Sequence, residues 1–230
     1  MEATNAQSRR DRILRAAEAL FSAKGFGDVS VDAIAREAGV NKATIYYYFP
    51  SKQAVLDHLI DAFLQSLADL SLQAMRCAAT QGVYSEALAF DGEGYIRVTN
   101  QAGMRQILHV IDAWFDAILD FFTSRRSILR IMMAESIKDG GNRALLYRLS
   151  DLLGAPGAVT DQMQALGFGK LAPGLIIMKF FGGFLPIAHY AVNAQNWCEH
   201  YAMDDQTLRS GLKQLFQMEI TGFFHLPEKP

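Results

Sequence analysis

Ser30-Val31-Asp32-Ala33-Ile34-Ala35-Arg36-Glu37-Ala38-Gly39-Val40-Asn41-Lys42-Ala43-Thr44-Ile45-Tyr46-Tyr47-Tyr48-Phe49-Pro50-Ser51-Lys52 is the stretch on which the fold turns. Ser30 is a good N-cap, and Ile34 and Ala35 give the short run Val31–Ala38 an inward face, so a helix is expected there. Gly39-Val40-Asn41 interrupts it. Asn41 can cap a second helix from Ala43 to Phe49, and Pro50-Ser51 closes that one. Two short helices joined by a glycine-containing turn form a helix-turn-helix, whose second helix can enter a DNA major groove.

The surface of the second helix sharpens this reading. Each residue advances about 100° around a helix axis. With Ile45 turned to the core, Phe49 lies on the same side, while Ala43, Thr44 and Tyr47 point away and Tyr46 and Tyr48 fall on the flanks. An exposed face of Ala, Thr and Tyr solubilises poorly but suits a groove. Small residues permit entry, hydroxyls supply donors and acceptors, and apolar atoms can touch thymine methyls. Lys42, Tyr46, Tyr48 and Lys52 are placed to reach phosphates on either side. The competing reading, in which the tyrosines merely pack between helices, fails for all three at once, because together they sweep about 200° of the surface.

Outward from this core, Arg9 to Lys24 carries a helical stripe of Ile13, Leu14, Ala17, Leu20 and Phe21, and Gly25 can end it in a left-handed conformation. After Ser51 a long helix is expected, with Leu56, Leu59, Ile60, Phe63, Leu67 and Leu70 on one face. Leu88-Ala89-Phe90 and Tyr95-Ile96-Arg97-Val98 flank Asp91-Gly92-Glu93-Gly94, which reads as a small hairpin or irregular loop. Helical periodicity then returns over 104–123, 128–137, 142–153, 156–166, 173–196 and 205–224. The fold class expected is all-α, with a helix-turn-helix domain over residues 1–52 and a helical domain over 53–230.

Composition sets limits. The chain has 230 residues, half of them apolar, and a formal net charge of -2. A globally basic surface is excluded, so a DNA-binding face must be local. Residues 1–60 net +1 and the remainder -3, which permits such a patch. Cys77 and Cys198 are isolated and read as buried small hydrophobes. No metal site and no cofactor is expected. The polar segment Met1–Asp11 contains no apolar leader, so a cytoplasmic location is expected. Leu171–Val192 approaches the length of a membrane span, but Lys179 inside it would cost roughly 2.5–3.5 kcal/mol on insertion. It is read as a buried helix.

The segment Ala16-Ala17-Glu18-Ala19-Leu20-Phe21, then Gly25-Phe26, then residues 31–40, then Thr44–Lys52, resembles the tetracycline-repressor (TetR) family of regulators. That resemblance covers about a fifth of the chain. It implies an all-α homodimer that binds a palindromic operator as a repressor and releases it when a small molecule enters the C-terminal domain. By position it implies that Tyr46, Tyr48 and Lys52 hold phosphates while Lys42, Ala43, Thr44 and Tyr47 face the groove. Ser30 and Asn41 complete the DNA-binding set as caps. Many relatives carry Ser or Thr where Asn41 stands and His where Tyr48 stands, so the operator sequence does not transfer.

The remaining chain carries no catalytic motif. Gly167-Phe168-Gly169-Lys170 lacks the first glycine and the Ser/Thr of a phosphate-binding loop, and the five histidines are scattered. A non-enzymatic protein is expected. His109, Trp114, Phe115, Phe122, Met133, Tyr147 and Phe181 belong to an aromatic and Met-rich set suited to an apolar or aromatic ligand. The last two long helices read as a dimer seam, with Gly182-Gly183 allowing close approach of a partner helix. The alternative, a helical interaction protein with a vestigial DNA-binding head, calls for loss of the groove-facing residues, and they are present.

Overall fold

A computed structural model of the chain describes residues 2–80, 88–90, 96–98, 101–138, 147–149, 151–152, 157–165, 174, 176–177, 180–221 and 224–225. The architecture is all-α, as the periodicity predicts, with one small sheet added. Helices α1 (Glu2–Lys24), α2 (Val31–Ala38), α3 (Lys42–Tyr48) and α4 (Lys52–Thr80) lead into strands β1 (Leu88–Phe90) and β2 (Ile96–Val98). Next come α5 (Gln101–Ser124), α6 (Arg126–Ile137), α7 (Ala158–Ala165), a π-helical turn (Phe180–Phe184), α8 (Leu185–Tyr201), α9 (Asp205–Thr221) and strand β3 (Phe224–His225). The expected hairpin forms as an antiparallel pair, Leu88 opposite Val98 and Phe90 opposite Ile96, and β3 adds in parallel to β2. Its turn, Asp91–Gly94, and the glycine-rich Gly167–Lys170 lie outside the described residues.

The chain divides into two compact units. One comprises Met1–Gln65 with Arg125–Leu146, the other Ser66–Ser124 with Tyr147–Pro230. The first unit therefore takes in α6, which sequence position alone had grouped with the C-terminal part. Its core is built from Ile13, Ala17, Phe21, Ile34, Ile45, Leu56 and Ile60, joined by Ile128, Leu129, Ile131 and Met132 of α6. Each such Ile, Leu, Phe or Met side chain contributes about 1.5–3 kcal/mol on full burial. Helix α1 starts at Glu2 rather than Arg9 because nothing between them breaks a helix.

In the second unit α5 and α9 run antiparallel and are joined by a polar ladder. Asp112 accepts from Gln217, Asp116 from Lys213 at 3.0 Å and from Arg209 at 3.0 Å, and Asp120 from Arg209 at 3.4 Å. Carboxylates one turn apart on α5 thus meet donors one turn apart on α9. Phe115, Phe122 and Phe216 are buried nearby. The Tyr190 hydroxyl donates to Asp205 at 2.6 Å and ties α8 to the start of α9.

Two expectations are corrected here. Cys77 is exposed and Cys198 half-buried, because both sit on solvent-side turns near the ends of their helices. The pair Gly182-Gly183 is already occupied by its own chain. A Cβ on Gly182 would lie 2.7 Å from Glu219 Cγ, and one on Gly183 would meet Phe216 at 3.7 Å. The small residues admit α9 of the same chain. Among the described residues no helix is long and apolar enough to cross a membrane.

Candidate nucleic-acid interface

Local chemistry fixes α2 and α3 at both ends. Ser30 Oγ accepts from Ala33 N at 3.1 Å and caps α2. At the other end Gly39 is left-handed, with φ of 63°. There its N–H donates to Arg36 O, and Val40 N–H donates to Ala35 O, the paired pattern that closes a helix while turning the chain sharply. Asn41 Oδ1 accepts from both the amide and the hydroxyl of Thr44, each at 2.7 Å, and so starts α3. Ser30 and Asn41 are thus caps that set the angle of the motif.

Ile45 and Phe49 are buried, which rolls α3 so that the opposite face meets solvent. Tyr47 is 81% exposed and Tyr46 48%, large values for aromatic side chains in a well-packed unit. Asn41, Lys42 and Ala43 are exposed, and Thr44 and Tyr48 are half-exposed. The rings of Tyr47 and Tyr48 meet edge to face with centroids 5.0 Å apart. The outward placement of Ala43, Thr44 and Tyr47, flanked by Tyr46 and Tyr48, agrees with the 100° reading of the sequence.

The two lysines are engaged in ways the sequence did not disclose. Lys42 Nζ lies 2.9 Å from Asp32 Oδ2, joining the first residue of α3 to the first turn of α2. That hydrogen bond and the carboxylate charge raise the Lys42 pKa. Lys52 Nζ donates to the carbonyls of Phe26 and Val29, both at 2.8 Å, and of Gly27 at 3.4 Å. Its charge also sits 4.4 Å from the centroid of the Phe26 ring. An ammonium has three N–H donors, and here all three have acceptors in the α1–α2 turn.

Behind α3 lies a second cluster. Arg10 Nη2 is 3.2 Å from His58 Nδ1, and its guanidinium lies 5.5 Å from the centroid of the Phe49 ring. Burial, and then the Arg10 charge, lower the His58 pKa. No motif pointed to Asp32, Arg10 or His58. Their partners lie 10 and 48 residues away in sequence.

The candidate ligand residues are only partly brought together. Trp114 and Phe115 of α5 meet Phe216 of α9 at centroid distances of 5.5 and 5.3 Å, and Phe122 meets Phe184 at 4.9 Å. His109, Tyr147 and Phe181 are exposed, and Met133 belongs to the first unit. The π-helical turn supplies Phe180 and Phe184, whose rings stack with centroids 5.5 Å apart.

Residues 13–59 match the family profile described as bacterial regulatory proteins, tetR family. The regulator EthR of Mycolicibacterium smegmatis is 46% identical over 57 residues, 25% of this chain and 26% of that protein. The repressor NicS of Pseudomonas putida is 36% identical over 101 residues, 42% of this chain and 46% of that protein. The chain thus spans from a quarter to just under half the length of these relatives. Among solved structures, a TetR-family transcription regulator from Marinobacter aquaeolei superimposes with a TM-score of 0.57 at 17% identity, covering 96% of this chain and 97% of that one. Thermus thermophilus FadR, a TetR-family repressor solved with lauroyl-CoA, gives a TM-score of 0.51 at 23% identity, covering 96% and 97%. The head carries the sequence likeness and the remainder the likeness of fold: over residues 13–59 the chain is similar to the tetR family of bacterial regulatory proteins.

Proposed function

We propose that this protein is a ligand-responsive transcriptional repressor. It reads a palindromic operator as a homodimer through Ser30, Asn41–Thr44 and Tyr46–Tyr48, and leaves DNA when a small apolar or aromatic molecule binds the second unit. The observation that carries the reading is the exposed face of α3. Tyr47 stands almost wholly in solvent while Ile45 and Phe49, on the reverse of the same helix, are buried. A surface of that kind has no folding role and is matched to a groove.

One short helix covers only a few base pairs, so useful affinity needs two heads about 34–36 Å apart, or a multiple of that, on one duplex face. Ile177, Phe181, Leu215 and Met218, all exposed in the second unit, support pairing of two chains through that unit. The Phe-rich set of α5, the π-helical turn and α9 supports an apolar or aromatic effector. FadR, a protein of the same fold, was solved with lauroyl-CoA, whose acyl chain is apolar although its coenzyme A part is charged. Selection of bound sequences from a randomised duplex pool, followed by footprinting, tests the operator half of this proposal. Paired half-sites are expected, and a single unpaired half-site would overturn the dimeric reading. Mass spectrometry of small molecules released from the purified protein tests the effector half.

A further inference from the structure

Asp32 is out of place on a surface built for a polyanion. It is the second residue of α2, its side chain is 60% exposed, and from the first turn of that helix it meets Lys42, the first residue of the reading helix. An acid in the first turn of a helix is favoured by the helix dipole. That accounts for an acid somewhere at the start of α2. It does not account for a carboxylate that reaches across ten residues of chain to hold Lys42 Nζ at 2.9 Å.

We infer that Asp32 is a specificity-determining residue of the DNA-reading surface, which keeps Lys42 from gripping arbitrary DNA and itself accepts a hydrogen bond from a base amine in the correct site. The inference rests on the proposed DNA-binding function. A lysine free at the start of the reading helix would neutralise a phosphate in any sequence, and each such contact steepens the dependence of log K on log salt by about 0.9. With Asp32 in place the ammonium already has an anionic partner, and the carboxylate adds repulsion toward phosphates. On DNA, Asp32 contributes favourably only where a base donates to it. In the major groove the donors are the cytosine N4 and adenine N6 amines, and a carboxylate characteristically pairs with the cytosine amine. Guanine O6 and N7 and thymine O4 are acceptors and would repel it. One residue thus lowers affinity for random DNA and rewards a cytosine amine at a single position of each half-site.

The test uses the full chain, a fixed random-sequence duplex and a randomised duplex pool. Asp32→Asn and Asp32→Ser are compared with wild type, with Lys42→Met, with Asp32→Asn in the Lys42→Met background, and with Asp151→Asn, an exposed charge in the other unit. Removing Asp32 is expected to tighten binding to the random duplex roughly fivefold to tenfold at 0.1 M salt and to steepen the salt slope by about one unit. The gain should largely vanish with Lys42→Met, Asp151→Asn should give none, and the selected sequences should lose their preference at one position per half-site. The inference is overturned if Asp32→Asn binds random DNA no more tightly than wild type, if Asp151→Asn tightens it equally, or if the gain survives in full without Lys42. A wild-type protein that shows no salt-dependent duplex binding would instead remove the DNA-binding function on which the inference stands.

Discussion

The ammonium of Lys52, at the first residue of α4, donates to the carbonyl oxygen of Val29 at 2.8 Å, just ahead of the Ser30 cap of α2. Two more carbonyls and the Phe26 ring complete its surroundings. Position in the motif assigns this lysine to a phosphate, whereas its geometry makes it a strut that fixes the α1–α2 turn. Hydrogen bonds from a charged donor contribute about 1.5–3 kcal/mol. Lys52→Ala is therefore expected to destabilise the protein by about that amount in denaturant melts while changing the salt slope of DNA binding by well under one unit. A drop of a full unit with unchanged stability would restore the phosphate assignment.

His58 gives the first unit a pH dependence of definite sign. Burial and the neighbouring Arg10 lower its pKa below 6.5 in the folded state. The unfolded chain consequently binds the proton more readily, so stability is complete above about pH 6.5 and declines as pH falls toward the folded pKa. Melting temperatures measured from pH 8 to pH 5 should fall more for wild type than for His58→Gln. Parallel curves would show that His58 titrates normally.

The α5–α9 ladder contributes differently. Burial opposes ionisation of Asp116, but hydrogen bonds and charge from Arg209 and Lys213 outweigh it and hold its pKa below the usual 3.8. This contribution is present above the unfolded value and lost as pH falls through the folded one. Because these groups are partly exposed, Arg209→Met is expected to cost only about 1 kcal/mol. It should also reduce the steepness of acid unfolding below pH 4. A loss above about 3 kcal/mol would mean that Arg209 also supports packing.

Ala202 ends α8 with φ of 51°, the one non-glycine residue with positive φ among those described. A Cβ in that conformation costs about 1–2 kcal/mol, partly offset by the greater freedom of glycine in the unfolded chain. Ala202→Gly should raise stability by about 0.5–1 kcal/mol. A variant that melts below wild type would show that the Ala202 methyl makes packing contacts worth more than the strain.

Much of the head was legible because local signals agree there. Ser30, Gly39 and Asn41 each have one conformational role, and Ile45 with Phe49 rolls α3 by simple geometry. The strand pair at Leu88–Phe90 and Ile96–Val98 was only half legible, since β-prone runs flanking a turn cluster fit a hairpin or an irregular loop. What escaped the sequence depends on distance along the chain. Nothing local announces that Asp32 meets Lys42, that Arg10 meets His58, or that Lys52 faces back toward Val29. Gly182-Gly183 illustrates the same limit, because a close approach can be inferred from two glycines but not which helix makes it. The outward positions of His109 and Tyr147 reflect a weaker signal, since a helical stripe of aromatics does not say which members face inward.

The central claim is that the exposed face of α3 reads DNA sequence, and Tyr47 is its most exposed member. Fluorescence anisotropy of wild type and Tyr47→Ala, each titrated against the pool-selected duplex and a random duplex across salt, measures this directly. Wild type is expected to prefer the selected duplex, with log K falling linearly against log salt on both. Tyr47→Ala should keep the melting temperature and the random-duplex affinity while its preference for the selected site falls by roughly tenfold or more. Equal discrimination by the two proteins, at equal stability, would contradict the account.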